Sequence, residues 1–236
     1  MNALEKKYRV QVKKIEQLSS DIVSVCLDID DAFSFQAGQH LNLLAEDGKP
    51  RFFSIANAPG VGTYDVELHI REVDKPFGQS LRAAMTECHT LYAQGPFGNF
   101  IFHTDSTRPI LFIAGGTGFA PIKALMEMYI QQGETRPVFI YWGGRQSCSL
   151  YMEALVLSWV KGYNVNYVPV LSDVETGSQW SGRQGYVHNA VLQDFSEITQ
   201  FDVYANGPPA MVLATRDALF KRGLDEQQFF SDLDSH

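Results

Sequence analysis

The chain is short of cysteine: Cys26, Cys88 and Cys148 are the only ones in 236 residues. They stand far apart and in odd number, without a C-x-x-C pair, a zinc spacing or an iron–sulfur run. Free thiols in a reducing compartment are therefore expected. Positive charge is scarce too. There are 19 Lys and Arg against 27 Asp and Glu, a formal net charge of −8 with no basic block. Broad nucleic-acid binding, which needs a basic footprint, is disfavoured, and any anionic ligand must be met by a few local groups. No apolar run approaches transmembrane length, and the opening MNALEKKYRV has no signal-peptide core. A soluble, cytoplasmic protein is expected on that account. Internal repeats and low-complexity tracts are also lacking. His40 and His69 have polar neighbours but no companion ligands, so no metal site is expected.

What is present falls into two rhythms. In the first hundred residues, Val23, Val25, Leu27 and Ile29 alternate with Ser24, Cys26 and Asp28, and Val66, Leu68 and Ile70 alternate with Glu67 and His69. Turn signals at Ala37-Gly38, Asp47-Gly48 and Pro59-Gly60 separate such strands, and a short helix is expected near Ser80–Met85. The pattern predicts a small antiparallel barrel or sandwich. From Pro109 the pattern changes. Ile110–Ala114 is a continuous apolar run, as in a strand buried on both faces. It is followed by Ile122, Leu125, Met126 and Tyr129 at helical spacing. Strands over Val138–Trp142, Val165–Leu171 and Asp202–Ala205 alternate with helices over Leu150–Val160, Tyr186–Leu192 and Ala210–Arg222, which implies βαβ units on a parallel sheet. Two domains are expected: an antiparallel β-barrel over 1–104 and an α/β parallel-sheet domain over 105–236, joined through the polar stretch His103–Arg108.

The second half carries a glycine turn, FIAGGTGFAP, with Gly115, Gly116, Thr117 and Gly118 between the buried strand and the helix. Glycines there let backbone N–H groups approach a pyrophosphate, and a helix N-terminus favours its charge. A tight strand–helix turn is the plainer explanation of the same residues. A dinucleotide site also wants an acid at the end of the next strand, to hold a ribose. That strand ends Tyr141-Trp142-Gly143-Gly144-Arg145, with no acid. Arg145 is then either a loop charge or a contact for the adenosine ribose or its 2′-phosphate. Trp142 and Trp180 could stack on adenine, although packing explains both; the methionines, Met211 among them, fit helix packing.

The first half carries RFFSIANAP, in which Arg51 and Ser54 flank Phe52 and Phe53. With AGQHLNL, GPFGNF, the glycine turn and a late NGPPAM in the same order, the chain resembles the ferredoxin–NADP reductase superfamily over nearly its whole length. It looks most like bacterial NAD(P)H-flavin reductases and the FAD-containing reductase modules of oxygenases. The resemblance implies a flavin (FAD, with FMN or riboflavin as alternatives), NADH or NADPH, and hydride transfer between them. It implies that Arg51 meets the flavin phosphates, that Phe53, with Phe52 beside it, lies against the ring system, and that Ser54 bonds near N5. His69, Ile70 and Arg71 of LHIR would border the flavin site, and Gly78-Gln79-Ser80 would turn about its phosphate tail at a helix start. Gly115 to Gly118 would hold the nicotinamide nucleotide, with Arg145 beyond it and Asn206-Gly207-Pro208 near the reacting carbon.

The chain departs from that pattern in two places. Many members have Cys where this sequence has Asn206, and after Phe229-Phe230-Ser231-Asp232 no later aromatic follows to cover a flavin. Three functions stay open: a flavin reductase releasing reduced flavin, a reductase component feeding a partner oxygenase or ferredoxin, and a flavin- or nucleotide-binding module without turnover.

Overall fold

The computed structural model describes residues 6–29, 33–44, 48–71, 75–85, 91–174 and 177–233. Cys88 lies outside them; Cys26 and Cys148 are free. One compact unit is formed by residues 1–102 together with 123–132, the other by 103–122 and 133–234. An exchange of the segment 123–132 into the first unit is not anticipated by a boundary at 104.

In the first unit β1 (Tyr8–Gln17), β2 (Ile22–Ile29), β3 (His40–Leu44), β4 (Pro50–Ser54), β5 (Val66–Arg71) and β6 (Leu91–Phe97) form one antiparallel sheet in the order β4-β3-β6-β1-β2-β5. Its outer strands also meet. Ile55 bridges Leu68, and the Ala56 N–H donates to the Glu67 carbonyl at 2.7 Å, so the sheet curls back on itself. Alternation sends Val10, Val25, Leu27, Leu41, Leu43, Val66, Leu68 and Ile70 into a single apolar interior. Helix α1 (Lys75–Ala84) covers it with Phe77, Leu81 and Ala84, spaced four and three apart on one face. The helix thus begins five residues before the expected Ser80. Gly78 weakens a helix locally by about 1 kcal/mol, but burial of Phe77 and Leu81, each on the order of 2 kcal/mol, outweighs it.

In the second unit the parallel sheet runs β10-β9-β8-β7-β11-β12. Its strands are β7 (Ile110–Gly115), β8 (Val138–Gly144), β9 (Val165–Leu171), β10 (Arg183–Gln184), β11 (Asp202–Asn206) and β12 (Phe229–Ser231). Helices α3 (Glu153–Gly162), α4 (Val187–Asp194) and α5 (Pro209–Phe220) alternate with them, and α2 (Phe119–Gln131) follows β7, its residues from Lys123 on belonging to the first unit. Every residue of β7 is buried, as its continuous apolar run requires of a central strand. The predicted elements are all present, β9 with the expected bounds and the others with ends shifted by no more than three residues. The terminal pair is used for packing: Phe229 meets Phe220 edge-on at 5.7 Å, and Phe230 stacks between Tyr204 at 4.7 Å and His103 at 4.3 Å. Burial pushes the Tyr204 hydroxyl up to about 12, and its oxygen accepts the His103 N–H at 3.0 Å. Among the described residues no helix is long and apolar enough to cross a membrane.

Candidate functional site

Strand alternation divides the residues of RFFS. Arg51 and Phe53 share one face and turn toward α1. The Arg51 guanidinium lies 4.3 Å from the centre of the Phe77 ring, and Phe53 stacks on the same ring at 5.7 Å and 13°. Gly78, Gln79 and Ser80 lie within the first turns of that helix, not in a turn before it. The expectation of a preceding turn fails because burial of Phe77 and Leu81 against the apolar interior carries the helix through Gly78. A charge, a flat aromatic pair and the N–H groups of a helix start therefore converge, as a phosphate-bearing ring ligand needs.

Phe52 and Ser54 lie on the opposite face of β4. Ser54 is paired in register with His40, and the Phe52 ring, 52% exposed, lies 6.1 Å from the His40 ring. The structure thus gives two pairs where the sequence suggested one row. Of the LHIR residues, Ile70 points into the barrel interior and Arg71 ends β5 in an exposed pair with Asp21 at 3.4 Å. His69 is enclosed, its Nε2 3.1 Å from Glu67 Oε1.

Glu67 is the centre of a polar network that the sequence reading passed over. Its Oε1 also accepts the Ser24 hydroxyl at 2.9 Å, and its Oε2 accepts Lys123 Nζ at 2.8 Å. Lys123 reaches Glu127 at 2.7 Å and donates to the Ala56 carbonyl at 2.9 Å, while Glu127 accepts the Ala58 N–H at 2.9 Å. Asn57 Oδ1 accepts the Glu67 N–H at 2.7 Å. The backbone just beyond Ser54 is therefore clamped at Ala56, Asn57 and Ala58. Burial alone would raise the Glu67 carboxyl; the His69 hydrogen bond and the Lys123 charge outweigh it and pull it down to about 2. Burial lowers His69 despite Glu67, and the two carboxylates keep Lys123 above its ordinary range against the opposing effect of burial. A lysine buried between Ile122 and Ala124 was the available signal, because an unpaired charge does not stay there.

In the second unit the glycine turn and the NGPP segment leave the carboxyl ends of adjacent parallel strands, where α/β folds bind ligands. They are pressed together backbone to backbone. A Cβ on Gly118 would lie 2.3 Å from the Asn206 carbonyl oxygen, and one on Gly115 would lie 2.4 Å from Met211 Sδ. Gly207, at φ +150°, would bring a Cβ within 2.9 Å of the Gly115 N. Two of the turn's three glycines are thus needed for packing against Asn206–Pro208 as well as for any ligand. Gly116 adopts φ +53°, and its carbonyl accepts the Trp142 Nε1–H at 3.1 Å. The Trp142 ring is buried against Phe119 at 3.9 Å, so it braces the turn and has no free face for adenine. Thr117 is partly exposed within the turn, and Arg145 is exposed in the loop after β8.

Comparison with known proteins agrees with this architecture. The family model described as an oxidoreductase NAD-binding domain matches residues 112–217. The chain is 38% identical to a CDP-6-deoxy-L-threo-D-glycero-4-hexulose-3-dehydrase reductase of Yersinia pestis, across 97% of this chain and 69% of that protein. It is 31% identical to an NAD(P)H-flavin reductase of Aliivibrio fischeri, across 94% of this chain and 96% of that protein. Among solved structures, the Amycolatopsis cytochrome P450 reductase GcoB superimposes with a TM-score of 0.82 at 26% identity, covering 96% of this chain and 69% of that one. A ferredoxin-NADP+ reductase from Plasmodium falciparum shares the fold, with a TM-score of 0.76 at 16% identity over 98% and 97% of the two chains.

Proposed function

Because the chain belongs to the ferredoxin–NADP reductase superfamily, we propose that it is an NAD(P)H:flavin oxidoreductase working in the cytoplasm, with the flavin held by the first unit and the nicotinamide nucleotide by the second. One observation carries the proposal: the flavin reductase likeness extends over 96% of that relative's length, and the chain supplies a charge-and-ring cradle in one unit and a braced glycine turn in the other. When bound, the nicotinamide supplies a hydride and the flavin accepts it. The chain's own residues bind, orient and exclude water. Arg51 and the start of α1 answer phosphate charge, and Phe53 with Phe77 offers an aromatic face. The Ser54 hydroxyl donates to the ring edge, and the Lys123–Glu67–Glu127 clamp keeps the adjoining backbone from shifting. Gly116 and Thr117 present backbone to the nucleotide, while Asn206 lies one residue from the bend that Gly207 permits.

The proposal is tested by steady-state oxidation of NADH and NADPH with FMN, FAD, riboflavin or ferricyanide; no oxidation with any acceptor would refute it. Ser54→Ala is expected to slow flavin reduction at least about tenfold, the worth of one hydrogen bond, while nucleotide affinity holds. An unchanged rate in stopped-flow removes Ser54 from the site.

The higher identity to the dehydrase reductase favours a second reading, in which bound FAD passes electrons to a separate protein. Gel filtration separates the two: a band that stays yellow and gains no activity from added flavin supports the protein acceptor, and a colourless band that needs flavin supports the free one.

A further inference from the structure

At the start of β5, the end opposite Arg71, the loop after β2 and the loop before β5 enclose a cavity of about 450 Å³. Phe33, Ser34 and Phe35 line it from the first loop, and Gly62, Tyr64 and Asp65 from the second. None of them belongs to the cradle of Arg51, Phe53 and α1. The frame of the cavity is fixed by hydrogen bonds. Asp65 Oδ2 accepts the Ile29 N–H at 2.8 Å and so ties the two loops together. Asn57 is buried, and its amide donates to the carbonyls of Val61 at 3.4 Å and Asp65 at 3.2 Å. The Val61 N–H donates to the Ala58 carbonyl at 3.1 Å, closing a turn in which Gly60 takes φ +75°. A ligand therefore meets a site that is already shaped.

The lining selects for positive charge. The Phe33 and Phe35 rings lie 6.0 Å apart at a tilt of 36°, and Tyr8 meets Phe33 edge-on at 5.1 Å. Both phenylalanines pack against the barrel core yet stay only half-buried, so each keeps surface toward the cavity. An aromatic face is the negative part of its ring. Among the described lining residues Asp65 is the only charged one, and its second carboxylate oxygen makes no hydrogen bond among the described residues. Two aromatic walls and a carboxylate, with no cation among them, repel an anion. A neutral sugar would leave the carboxylate unanswered. An alkylated ammonium or a guanidinium suits both features, since its charge meets the carboxylate while its carbon-bound surface lies on the rings.

We infer that this cavity binds an organic cation, an alkylated ammonium or a guanidinium group, with Phe33 and Phe35 as aromatic walls and Asp65 as the counter-charge. The inference goes beyond the oxidoreductase reading and does not depend on it, because neither flavin nor nicotinamide nucleotide takes part. The same group can arrive on a free amine or on a Lys or Arg side chain of another protein, and the test separates the two.

The test is calorimetry on the full chain with choline, acetyl-lysine amide, acetyl-arginine amide and the neutral dimethylbutanol in which carbon replaces the choline nitrogen. At least one cation is expected to bind, and choline to bind at least about tenfold more tightly than its neutral isostere, the worth of the charge on the rings and carboxylate. Asp65→Asn keeps an oxygen for the Ile29 N–H and is expected to weaken the cations several-fold while leaving the isostere unchanged. Phe35→Leu leaves that tie untouched and is expected to weaken the cations several-fold as well. Tighter choline assigns the site to a free amine, and a tighter blocked lysine or arginine assigns it to a side chain of another protein. Equal affinity for choline and the isostere, cation binding unchanged in both variants, or no binding of any cation at millimolar concentration would each overturn the inference. Calorimetry reads binding alone, so a failure to oxidise NADH or NADPH is a separate result that leaves this one standing.

Discussion

Gly118→Ala is expected to abolish tight nucleotide binding and to lower stability by about 3 kcal/mol, the upper end of the range for overpacking. The added methyl would sit 2.3 Å from the Asn206 oxygen, 2.5 Å from the Asn206 carbonyl carbon and 2.5 Å from the Gly207 Cα. All three atoms are backbone, so no side chain can swing away. Relief must come from separating the turn after β7 from the end of β11, and those strands are paired through Asn206 and Ala114. For a chain of this size the melting midpoint should fall by roughly 6–12 °C. Gly162→Ala is the matching control. It has open space around the added atom and needs no left-handed backbone, so it should be neutral or stabilising by up to about 1 kcal/mol. Equal melting curves for the two variants would refute the backbone contact.

Lys123→Met should cost roughly 3–5 kcal/mol, because it leaves two carboxylates facing each other in a buried site without their cation. The packing volume is kept, so the loss measures charge. Glu67→Gln in the same chain should recover part of it, and a double-mutant cycle in urea reads the coupling. If Lys123→Met alone unfolds the chain, the cycle is run from Glu67→Gln with Lys123→Arg.

The pH dependence provides a second check. Glu67 is depressed to about 2 from 4.5, so its contribution is complete above pH 4.5 and fades as pH falls toward 2. That shift corresponds to about 3 kcal/mol of stability at neutral pH. Lys123 is raised, so its share is complete below its ordinary 10.5 and fades as pH rises through its higher folded value. Burial holds His69 below its ordinary 6.5, so the unfolded chain takes up that proton first. Urea midpoints should begin to fall below about 6.5 and fall further as Glu67 loses its charge, and the lower part of this acid drop should shrink in Lys123→Met. A wild-type curve with no acid limb would contradict the network.

Other features were visible in local order. Ile110–Ala114 announced a central strand because a strand covered on both faces has no polar side to alternate, and its structure is buried throughout. RFFS was legible as a charge and a hydroxyl around two aromatics, but its division into Arg51 with Phe53 on one face and Phe52 with Ser54 on the other came only with the strand that β4 forms. By contrast, α1 begins earlier than its sequence signals, because Gly78 breaks the local pattern while the Phe77 and Leu81 contacts restore it.

The chain's own order of residues was enough to establish two units, one antiparallel and one parallel, with a glycine turn after the first buried strand. Periodicity and turn chemistry are local, and they survive without knowledge of neighbours. The partners of those segments were another matter. Lys123 finds Glu67 across 56 positions, Gly118 rests on Asn206, and Asp65 reaches the end of β2 at Ile29. Each depends on which strands lie side by side and on how closely their backbones approach. Strand neighbourhood is settled by burying apolar faces over the whole unit, and buried charges and glycines take their meaning from what that packing brings next to them.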